Sequence, residues 1–246
     1  MMKKTFWGVF ALLLMLAIPS CGGNDDEPQG GGQGGHATDK FTVSARTVFS
    51  HKLPKEIDDM KLFYNDKDQL EKVVEDYATV TFDYSNLSSK KVRMKYGEKY
   101  VIDMTLNNKG FVESCIQNYN DGDKETWKFN YNTDGQMTYM FRSEGNDEET
   151  QMTYSNGNLV KTYRPYDEPD NLETVITYSS TDNMGSIMFF DKIFGIDIDE
   201  MKYAYYAGLL GKATKQLPAT SNGSKINWEI NSEGYPTSMN GIKITW

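Results

Sequence analysis

The chain has 246 residues and is acidic, because 35 Asp and Glu residues outnumber 26 Lys and Arg residues and leave a formal charge of −9. Loss of Lys3 and Lys4 with a leader peptide would make this charge −11 for the mature protein. Such a chain lacks the basic surface that supplies most affinity for phosphate backbones, so we exclude nucleic acid as a partner. The net charge also opposes binding to anionic headgroups, whereas neutral ligands and cations are compatible with it.

The N-terminus predicts an export signal in residues 1–20. Two lysines precede an apolar run from Phe6 to Ile18, and this run is shorter than the roughly 18 residues that a membrane-spanning helix needs. The run leads into Pro19-Ser20-Cys21, which resembles the lipobox of bacterial lipoproteins. The resemblance implies cleavage just before Cys21 and acylation of its thiol, so that the membrane is a partner through this lipid. An ordinary secretory leader is the alternative.

Residues 21–39 predict a flexible tether. The stretch Gly22–Asp39 contains seven glycines in eighteen residues, a composition that cannot bury apolar surface and that gives a reach of roughly 25 Å. The acidic run Asn24–Glu27 resembles an export tag with which some anaerobic gut Gram-negative bacteria send lipoproteins to the cell surface. This resemblance implies an outer-membrane lipoprotein of the cell envelope that is exposed at the surface. A solubilising linker is the alternative.

Residues 40–246 predict a single domain built as an antiparallel β-meander. From Lys61 onward, strands rich in Tyr, Thr, Val and Phe alternate with turns rich in Asn, Asp, Ser and Gly, which is typical of successive hairpins. Asp-Gly and Asn-Gly pairs favour tight hairpin turns because both central residues require positive φ. The predicted turns lie at Asn65–Asp68, Ser85–Ser88, Asn107–Gly110, Asn132–Gly135, Ser155–Asn158, Thr181–Asn183 and Asn231–Gly234.

Alternation within the strands predicts a sheet that is covered on one face. In one strand Trp127, Phe129 and Tyr131 share a face, while polar residues occupy the other. A segment near residues 199–210 lacks this alternation and predicts a short helix that packs against the sheet. We therefore expect a mainly β fold, an antiparallel hairpin meander that forms a large curved sheet or open half-barrel, with one short helix.

Three features carry a family resemblance: the Tyr/Asn-turn-Gly repeats, the segment Tyr205–Lys212 leading to Leu217-Pro218, and the closing Ser232–Pro236. Together they resemble a lipoprotein family of unknown function from gut Gram-negative anaerobes, described as having a porin-like β fold. The repeats also loosely resemble the YD repeats of large bacterial surface proteins. The resemblance implies the fold and an envelope location, and it supplies no activity, cofactor or catalytic residue.

A porin-like fold does not by itself imply a pore. The final strand Ile242–Trp246 alternates and ends in an aromatic residue, as the strands of outer-membrane barrels do. However, the mean hydropathy is −0.62, and charged pairs such as Lys90-Lys91 interrupt any lipid-facing band. We therefore predict a sheet that lies outside the bilayer, with a membrane-embedded barrel as the alternative.

The sequence offers few nucleophiles or metal ligands. Its two histidines are His36 and His51, and no metalloprotease, hydrolase-elbow or nucleotide-binding motif occurs. Cys115 lies in a strand-like run, and we expect it to be a small buried hydrophobic residue. We therefore predict no catalytic residue, no metal and no cofactor.

Carboxylates are plentiful, and a glycan hydrolase needs only two of them at a suitable separation. The densest cluster beside apolar residues consists of Asp197, Asp199 and Glu200, but a helix N-terminus explains such a cluster equally simply, because negative charge is favourable there. The run Asn120–Asp123 looks like a calcium loop but lacks the spacing and terminal Glu of an EF-hand.

Tyrosine is the most distinctive residue type, with sixteen copies. Its flat apolar ring and polar tip suit weak recognition of sugars or protein surfaces. Aromatic residues on successive predicted strands are the candidate ligand-binding set, and they form a platform if they share an open face. The alternative is that they are β-favouring residues that cover the core. The set consists of Trp127, Tyr131, Tyr139, Tyr154, Tyr163 and Tyr178.

From these features we predict a lipid-anchored envelope protein that is a non-catalytic binding module for a glycan or another envelope protein. An extracellular glycan hydrolase with paired carboxylates and a structural or adhesive surface protein are the alternatives. The sequence leaves the oligomeric state open.

Overall fold

The computed structural model describes residues 41–143, 147–165, 172–188, 190 and 192–246. The predicted leader, the tether, Cys21 and His36 lie outside the described residues. The strands are β1 Glu56–Ile57, β2 Met60–Tyr64, β3 Leu70–Val74, β4 Thr79–Asp83, β5 Lys91–Tyr96, β6 Tyr100–Leu106, β7 Val112–Tyr119, β8 Lys124–Tyr131, β9 Met137–Arg142, β10 Glu148–Ser155, β11 Asn158–Tyr163, β12 Glu173–Asp182, β13 Gln216–Ser221, β14 Ser224–Lys225, β15 Trp228–Ile230, β16 Pro236–Met239 and β17 Ile242–Thr245. Short 3-10 turns lie at Ala45–Thr47, Leu87–Ser89, Lys192–Phe194 and Asp199–Met201, and helix α1 is Lys202–Tyr206.

The strands form one antiparallel sheet in which neighbours in sequence are neighbours in space. Ladders join each consecutive pair from β1 to β14 and from β15 to β17, and β17 also pairs with β1. The sheet is open between β14 and β15, because no ladder joins these two strands in the described part of the chain. The predicted antiparallel hairpin meander is therefore confirmed, as a large open sheet of seventeen strands.

Alternation along the strands gives the sheet an apolar inner face and a polar outer face. On β8, Trp127 and Phe129 are buried while Lys128 and Asn130 are exposed, and Tyr131 packs against the same core. The inward side chains of the sheet belong to one continuous hydrophobic cluster. Burial of these side chains is the main favourable contribution to folding.

Four hairpins use a five-residue turn that begins with asparagine. In the turn after β6, the Asn107 side-chain oxygen accepts hydrogen bonds from the backbone N–H groups of Lys109 and Phe111, at 2.8 and 3.1 Å. The fourth residue, Gly110, has φ +84°, which glycine adopts without strain. The strand register shifts by one residue just before the asparagine, as in a turn closed by a bulge. The equivalent asparagines are Asn65, Asn132 and Asn231.

The Asn-Gly pairs form a second and tighter kind of turn. Asn156 and Gly157 have φ values of +52° and +81°, and Asn222-Gly223 and Asn240-Gly241 share this conformation. These are the two-residue turns in which both central residues have positive φ, as predicted. The Asp-Gly pair of the Asn132–Gly135 turn differs, because its positive φ is at Gly135 and the turn is of the longer, asparagine-anchored kind.

The inner face of the sheet is filled by the connection between β12 and β13, residues 183–215, here called the inner segment. At its middle the Tyr203 hydroxyl donates to Glu75 Oε1 at 2.7 Å. Further along, the Val112 N–H donates to the carbonyl oxygen of Leu209 at 2.8 Å, which ties the segment to β7. The most deeply buried of its aliphatic residues are Ile196, Ile198, Met201, Ala204, Ala207, Leu209 and Leu210.

Helix α1 lies within the inner segment and confirms the predicted short helix near residues 199–210. The 3-10 turn Asp199–Met201 leads directly into α1, and its first turn carries Asp199 and Glu200. In the part of the chain that the structure describes, no helix is both long enough and apolar enough to cross a membrane.

Candidate functional site

The six aromatic residues predicted to bind a ligand divide between the two faces of the sheet. Trp127 is 1% exposed, and Tyr131, Tyr154 and Tyr178 pack against the same core. The other two face outward, since Tyr139 and Tyr163 both pair with Gln151 on β10, which is exposed. The structure therefore does not bring the six together into one platform.

The inward tyrosines connect neighbouring strands through their hydroxyl groups. Tyr131 donates to the Val112 carbonyl oxygen at 2.7 Å, and Tyr178 donates to the Leu159 carbonyl oxygen at 2.8 Å. Each ring thus fills the core while its polar tip finds a backbone acceptor, as buried tyrosine requires. Tyr84, Trp228 and Trp246 make the same kind of bond to Leu70, Pro218 and Pro236.

Burial changes the acid–base behaviour of these tyrosines. Removal from water raises the pKa of Tyr131, Tyr154 and Tyr178 above the usual value for a phenol, because the charged form is disfavoured in a poorly solvated site. The Tyr154 hydroxyl is buried and has no hydrogen-bond partner among the described residues. These groups are neutral structural residues near neutral pH.

A large concave region with a mixed lining lies on the outer face, over β4–β8. This outer groove has a volume of about 690 Å³. Its solvent-facing residues come from strand positions that alternate with buried ones, which is why one groove can hold so many polar side chains. They include Asp83, Lys91, Arg93, Asp103, Thr105, Ser114, Ile116, Thr126 and Lys128.

Two of the charged side chains in the outer groove form an ion pair. Arg93 forms a forked salt bridge with Asp103, with Nε to Oδ1 at 2.7 Å and Nη2 to Oδ2 at 3.1 Å. Asp83 accepts a hydrogen bond from the Ser85 N–H at 2.8 Å, and this bond is the main reason why the pKa of Asp83 is lowered. A glycosidase needs one carboxyl group with a raised pKa as its general acid, and Asp83 is shifted in the opposite direction.

The floor of the outer groove also presents apolar surface. Ile116 on β7 is 46% exposed, and its ladder partners Asp103 and Thr126 surround it with hydrogen-bonding groups. At the β8 side the Lys128 ammonium lies 5.6 Å from the centroid of the Phe141 ring. The groove can therefore offer a small apolar platform bordered by donors and acceptors.

A second polar group lies on the inner face and is built around Arg142, whose side chain is 7% exposed. Arg142 Nε is 3.2 Å from Glu125 Oε2, and Nη1 is 2.5 Å from Asp199 Oδ2. The guanidinium also lies 4.8 Å from the Trp127 ring centroid, and the Tyr119 hydroxyl donates to Glu125 at 2.8 Å. A buried charge needs such partners, so we assign these groups to folding.

The carboxylate cluster identified in the sequence lies at this group. Burial raises the pKa of Asp199, Arg142 opposes the shift, and the neighbouring Asp197 and Glu200 add to it. Asp199 has φ +41° and opens the turn before α1, which is the helix-start role that the sequence suggested. Its carboxylate is engaged by Arg142 rather than aimed at a cleft.

The remaining candidate groups have structural positions. Cys115 is buried, and removal from water raises the pKa of its thiol, so it behaves as a small hydrophobic residue. In the run Asn120–Asp123, Asp121 accepts a hydrogen bond from the Asp123 N–H at 3.1 Å, which shapes the turn. Within the described residues, no three His, Cys, Asp or Glu side chains come together in a way that could hold a metal ion.

Comparison with known proteins identifies the family. The model of a domain of unknown function (DUF4595) with porin-like fold matches residues 57–238. The chain belongs to this family. The match confirms the porin-like resemblance stated from the repeats. No curated protein matches the chain.

Membership of the DUF4595 family agrees with a comparison of structures. The crystal structure of a porin-like protein from Bacteroides uniformis superposes with a TM-score of 0.57 and covers 76% of this chain and 85% of that one. Because the sequence identity is 18%, this similarity shows the shared fold and carries no activity to this DUF4595 chain.

The outer groove is the feature that sequence reasoning missed. The predicted site used aromatic residues, whereas the solvent-facing lining of the groove is mostly charged and small polar residues on β4–β8. Of the predicted set, only the buried Trp127 belongs to the lining of this groove. The only sequence signal for it was the alternation that places Arg93, Asp103 and Ile116 opposite buried neighbours. Alternation shows which residues face outward but does not show where the outer face is concave.

Proposed function

We propose that this DUF4595 chain is a non-catalytic binding module of the cell envelope, anchored in the outer membrane by a lipid on Cys21 and exposed at the surface. In this proposal the outer groove binds a glycan. The observation that carries it is the exposed Ile116 side chain at the floor of a 690 Å³ groove that is bordered by hydrogen-bonding side chains.

The chemistry of the groove suits a carbohydrate. A sugar ring has an apolar face and a rim of hydroxyl groups, so it is bound by flat apolar surface together with directional donors and acceptors. Ile116 supplies the apolar contact, while Arg93, Asp103 and Thr126 supply the polar ones. The Arg93–Asp103 pair is already formed, so these side chains lose little freedom when a ligand binds.

The two outward tyrosines extend this surface along the sheet. Lys128 borders the groove and pairs with Phe141, and two residues further along β8 Asn130 pairs with Tyr139. On β10, Gln151 pairs with Tyr139 on one side and with Tyr163 of β11 on the other, so Tyr163 is the next aromatic residue along this face. A longer glycan chain that leaves the groove past β8 would meet these aromatic rings, and this is the part of the predicted aromatic set that the proposal retains.

Attachment through Cys21 is supported by the leader pattern in residues 1–20 and the tether that follows. Metabolic labelling of cells with a palmitate analogue tests it. We expect the label on the wild-type protein, loss of the label in Cys21→Ser, and access of an external protease to the protein on intact cells. Label retained in Cys21→Ser would contradict the anchor.

Glycan binding is tested with glycan arrays and titration calorimetry on the mature chain. Replacement Ile116→Glu places a charge on the groove floor, and we expect binding at least about tenfold weaker, because a lost apolar contact of this size is worth roughly 1.4 kcal/mol or more. The matched control is Ile230→Glu, since Ile230 is 41% exposed and lies on β15, outside the groove.

We expect the Ile230→Glu control to bind as the wild type does. Absence of any glycan ligand, or equal weakening by both substitutions, would overturn the groove assignment. If envelope pull-downs identify a protein that Ile116→Glu releases and Ile230→Glu retains, the groove is the binding site but the ligand class is a protein.

A further inference from the structure

The hairpin turns lie at two ends of the sheet that differ in charge. Because consecutive strands are antiparallel, the turns after β2, β4, β6, β8 and β10 share one end, and those after β1, β3, β5, β7 and β9 share the other. Phe41, the first described residue, lies at the former end, where the Lys90 ammonium is 5.9 Å from its ring centroid. We call this the tether end and the opposite one the far end.

The far end is strongly acidic. The described residues of its turns include one lysine, Lys99. Two acidic residues of these turns have a cationic partner, since Glu98 pairs with Lys95 at 2.9 Å and Glu75 lies 4.0 Å from Lys202. The other acidic residues of these turns are Asp58, Asp59, Asp76, Asp121, Asp123 and Asp147. Most of the net negative charge of the folded part therefore lies away from the point where the tether joins it.

The tether end has more lysines than acidic residues in its turns and at the end of the inner segment. Its turns and the end of the inner segment hold Lys67, Lys90, Lys109, Lys212 and Lys215, against Asp66, Asp68 and Asp134. One of these aspartates is already neutralised locally, since Asp68 pairs with Arg46 at 3.1 Å. A second local pair joins Lys52 to Glu233 at 2.6 Å. What remains is an excess of lysine.

The turn Asn132–Gly135 at the tether end accepts hydrogen bonds from two of these lysines, Lys109 and Lys212. Lys109 Nζ donates to the Thr133 carbonyl oxygen at 2.8 Å. In the same turn, the Gly135 carbonyl oxygen accepts the N–H of Lys212 at 2.9 Å, and Lys215 follows three residues later.

Lys212 and Lys215 both line two surface depressions, of about 450 and 310 Å³, and Asp134 is the one acidic residue among the described residues that line the larger depression. Both side chains are exposed, and neither has an ion-pair partner among the described residues. The tether end therefore presents cations that are free to meet an external anion.

We propose that the tether end docks, through Lys109, Lys212 and Lys215, on the anionic headgroups of the membrane that holds the lipid anchor. The inference rests on the proposed function, because the anchor at Cys21 is what brings this end near a bilayer. A flexible tether, which the composition of residues 21–39 predicts, would by itself give a reach of roughly 25 Å and no preferred orientation. Docking fixes the orientation, since the acidic far end is repelled by the same surface.

This orientation has a consequence for the outer groove. The groove runs along β4–β8 on the flank of the sheet, from mid-strand residues such as Ile116 to Asn86 and Ser89 in the turn after β4, so one edge of it lies at the tether end. With the tether end on the membrane, that edge faces the bilayer, and the mid-strand part around Ile116 is the part that stays open to a ligand. The net acidity of the chain does not prevent docking, because a surface field acts within a Debye length of about 10 Å at 0.1 M salt.

Vesicle co-sedimentation tests the proposal. The probe is the mature chain from residue 21 with Cys21→Ser, so that no acyl chain contributes to binding. We expect it to bind vesicles of phosphatidylcholine with phosphatidylglycerol and not vesicles of phosphatidylcholine alone. Each lysine at an anionic surface contributes about fivefold in binding, so the triple variant Lys109→Gln, Lys212→Gln, Lys215→Gln is expected to bind about a hundredfold more weakly.

The matched control changes the same net charge near the far end, with Lys124→Gln, Lys225→Gln and Lys243→Gln. These exposed lysines lie in β8, β14 and β17, close to the turns that precede these strands, and antiparallel pairing places all three turns at the far end. We expect this control to lose no binding. Equal loss in both triple variants, or wild-type binding that does not depend on phosphatidylglycerol, overturns the proposal. Palmitate labelling and glycan titration do not depend on these lysines, so their results separate a failure of the proposed function from a failure of docking.

Discussion

At the scale of single residues, the tyrosines suggested a binding surface in the sequence, but most of the predicted aromatic residues pack in the core of the structure. A residue at the border of the core needs a side chain that is apolar along its length and polar at its tip. Tyr131 and Tyr178 meet that need by donating to carbonyl oxygens of neighbouring strands. The same property makes tyrosine useful in recognition, so residue type alone does not distinguish the two roles.

Two tyrosine substitutions separate these roles. Tyr131→Phe removes the hydrogen bond to Val112, and we expect it to lower the free energy of unfolding by about 1 kcal/mol. Tyr154→Phe removes a buried hydroxyl that has no partner among the described residues, so we expect stability to be unchanged or raised by about 1 kcal/mol. Urea denaturation followed by circular dichroism measures both, and an equal loss in the two variants would contradict the assignment.

At the scale of elements, the inner segment packs its backbone directly against the chain entering the sheet. An ideal Cβ at Gly208 would lie 2.6 Å from the Ser44 carbonyl oxygen and 2.7 Å from Ala45 Cα, and Gly208 has φ +76°. Glycine is therefore required there for two separate reasons, conformation and space. The turn glycines Gly97, Gly122, Gly223 and Gly241 satisfy only the first requirement, because a Cβ there would have no neighbour within 4 Å.

Comparison of Gly208→Ala with Gly223→Ala isolates the loss of stability caused by steric crowding at Gly208. Gly223 has φ +77°, and its Cβ would have no neighbour within 4 Å, so both variants share a conformational cost of about 1–2 kcal/mol. We expect Gly208→Ala to lose a further 1–3 kcal/mol or so, because backbone atoms must move. Thermal and urea unfolding test this difference, and equal losses would show that the inner segment is not tightly packed.

At the scale of the whole molecule, stability rests on one large core that contains many neutral phenols. Among the described residues Cys115 is the free cysteine, and it is buried rather than bonded. Burial raises the pKa of a set of tyrosines above the usual value of 10.0: Tyr64, Tyr84, Tyr131, Tyr154, Tyr205 and Tyr206. The protonation of these phenols is therefore coupled to folding.

This coupling predicts unfolding in alkali. Above pH 10 the unfolded chain loses tyrosine protons that the folded chain retains, so stability is full below pH 10 and falls as the pH rises, by about 1.4 kcal/mol per pH unit for each such tyrosine. We expect loss of secondary structure to coincide with the rise in tyrosinate absorbance. Ionisation of these residues in a chain that keeps its circular dichroism spectrum would show that the core is open to solvent.

Local features of the sequence were sufficient for the β-meander and for six of the seven predicted turns. The seventh, Thr181–Asn183, is the end of β12 and the start of the inner segment, and the turns at the opposite end of the sheet were not predicted. Period-two alternation placed Trp127 and Phe129 inward, and Asn-Gly pairs marked turns such as Asn156-Gly157, because both signals come from residues that are close in the chain. The short helix was also predictable, since its start at Asp199 is a local charge pattern. These predictions succeeded because each depends on residues that are close together in the chain and that determine the local backbone conformation.

Only the tertiary structure decided which aromatic residues are accessible and where the outer face is concave. The division of Tyr131 and Tyr139 between core and solvent depends on strand register, on a bulge between Asn130 and Tyr131, and on the inner segment that covers one face. The separation of acidic and basic ends likewise depends on how distant turns assemble. Composition fixed the total charge, but pairing between distant strands determined where that charge lies, and the proposed site and its orientation follow from that arrangement.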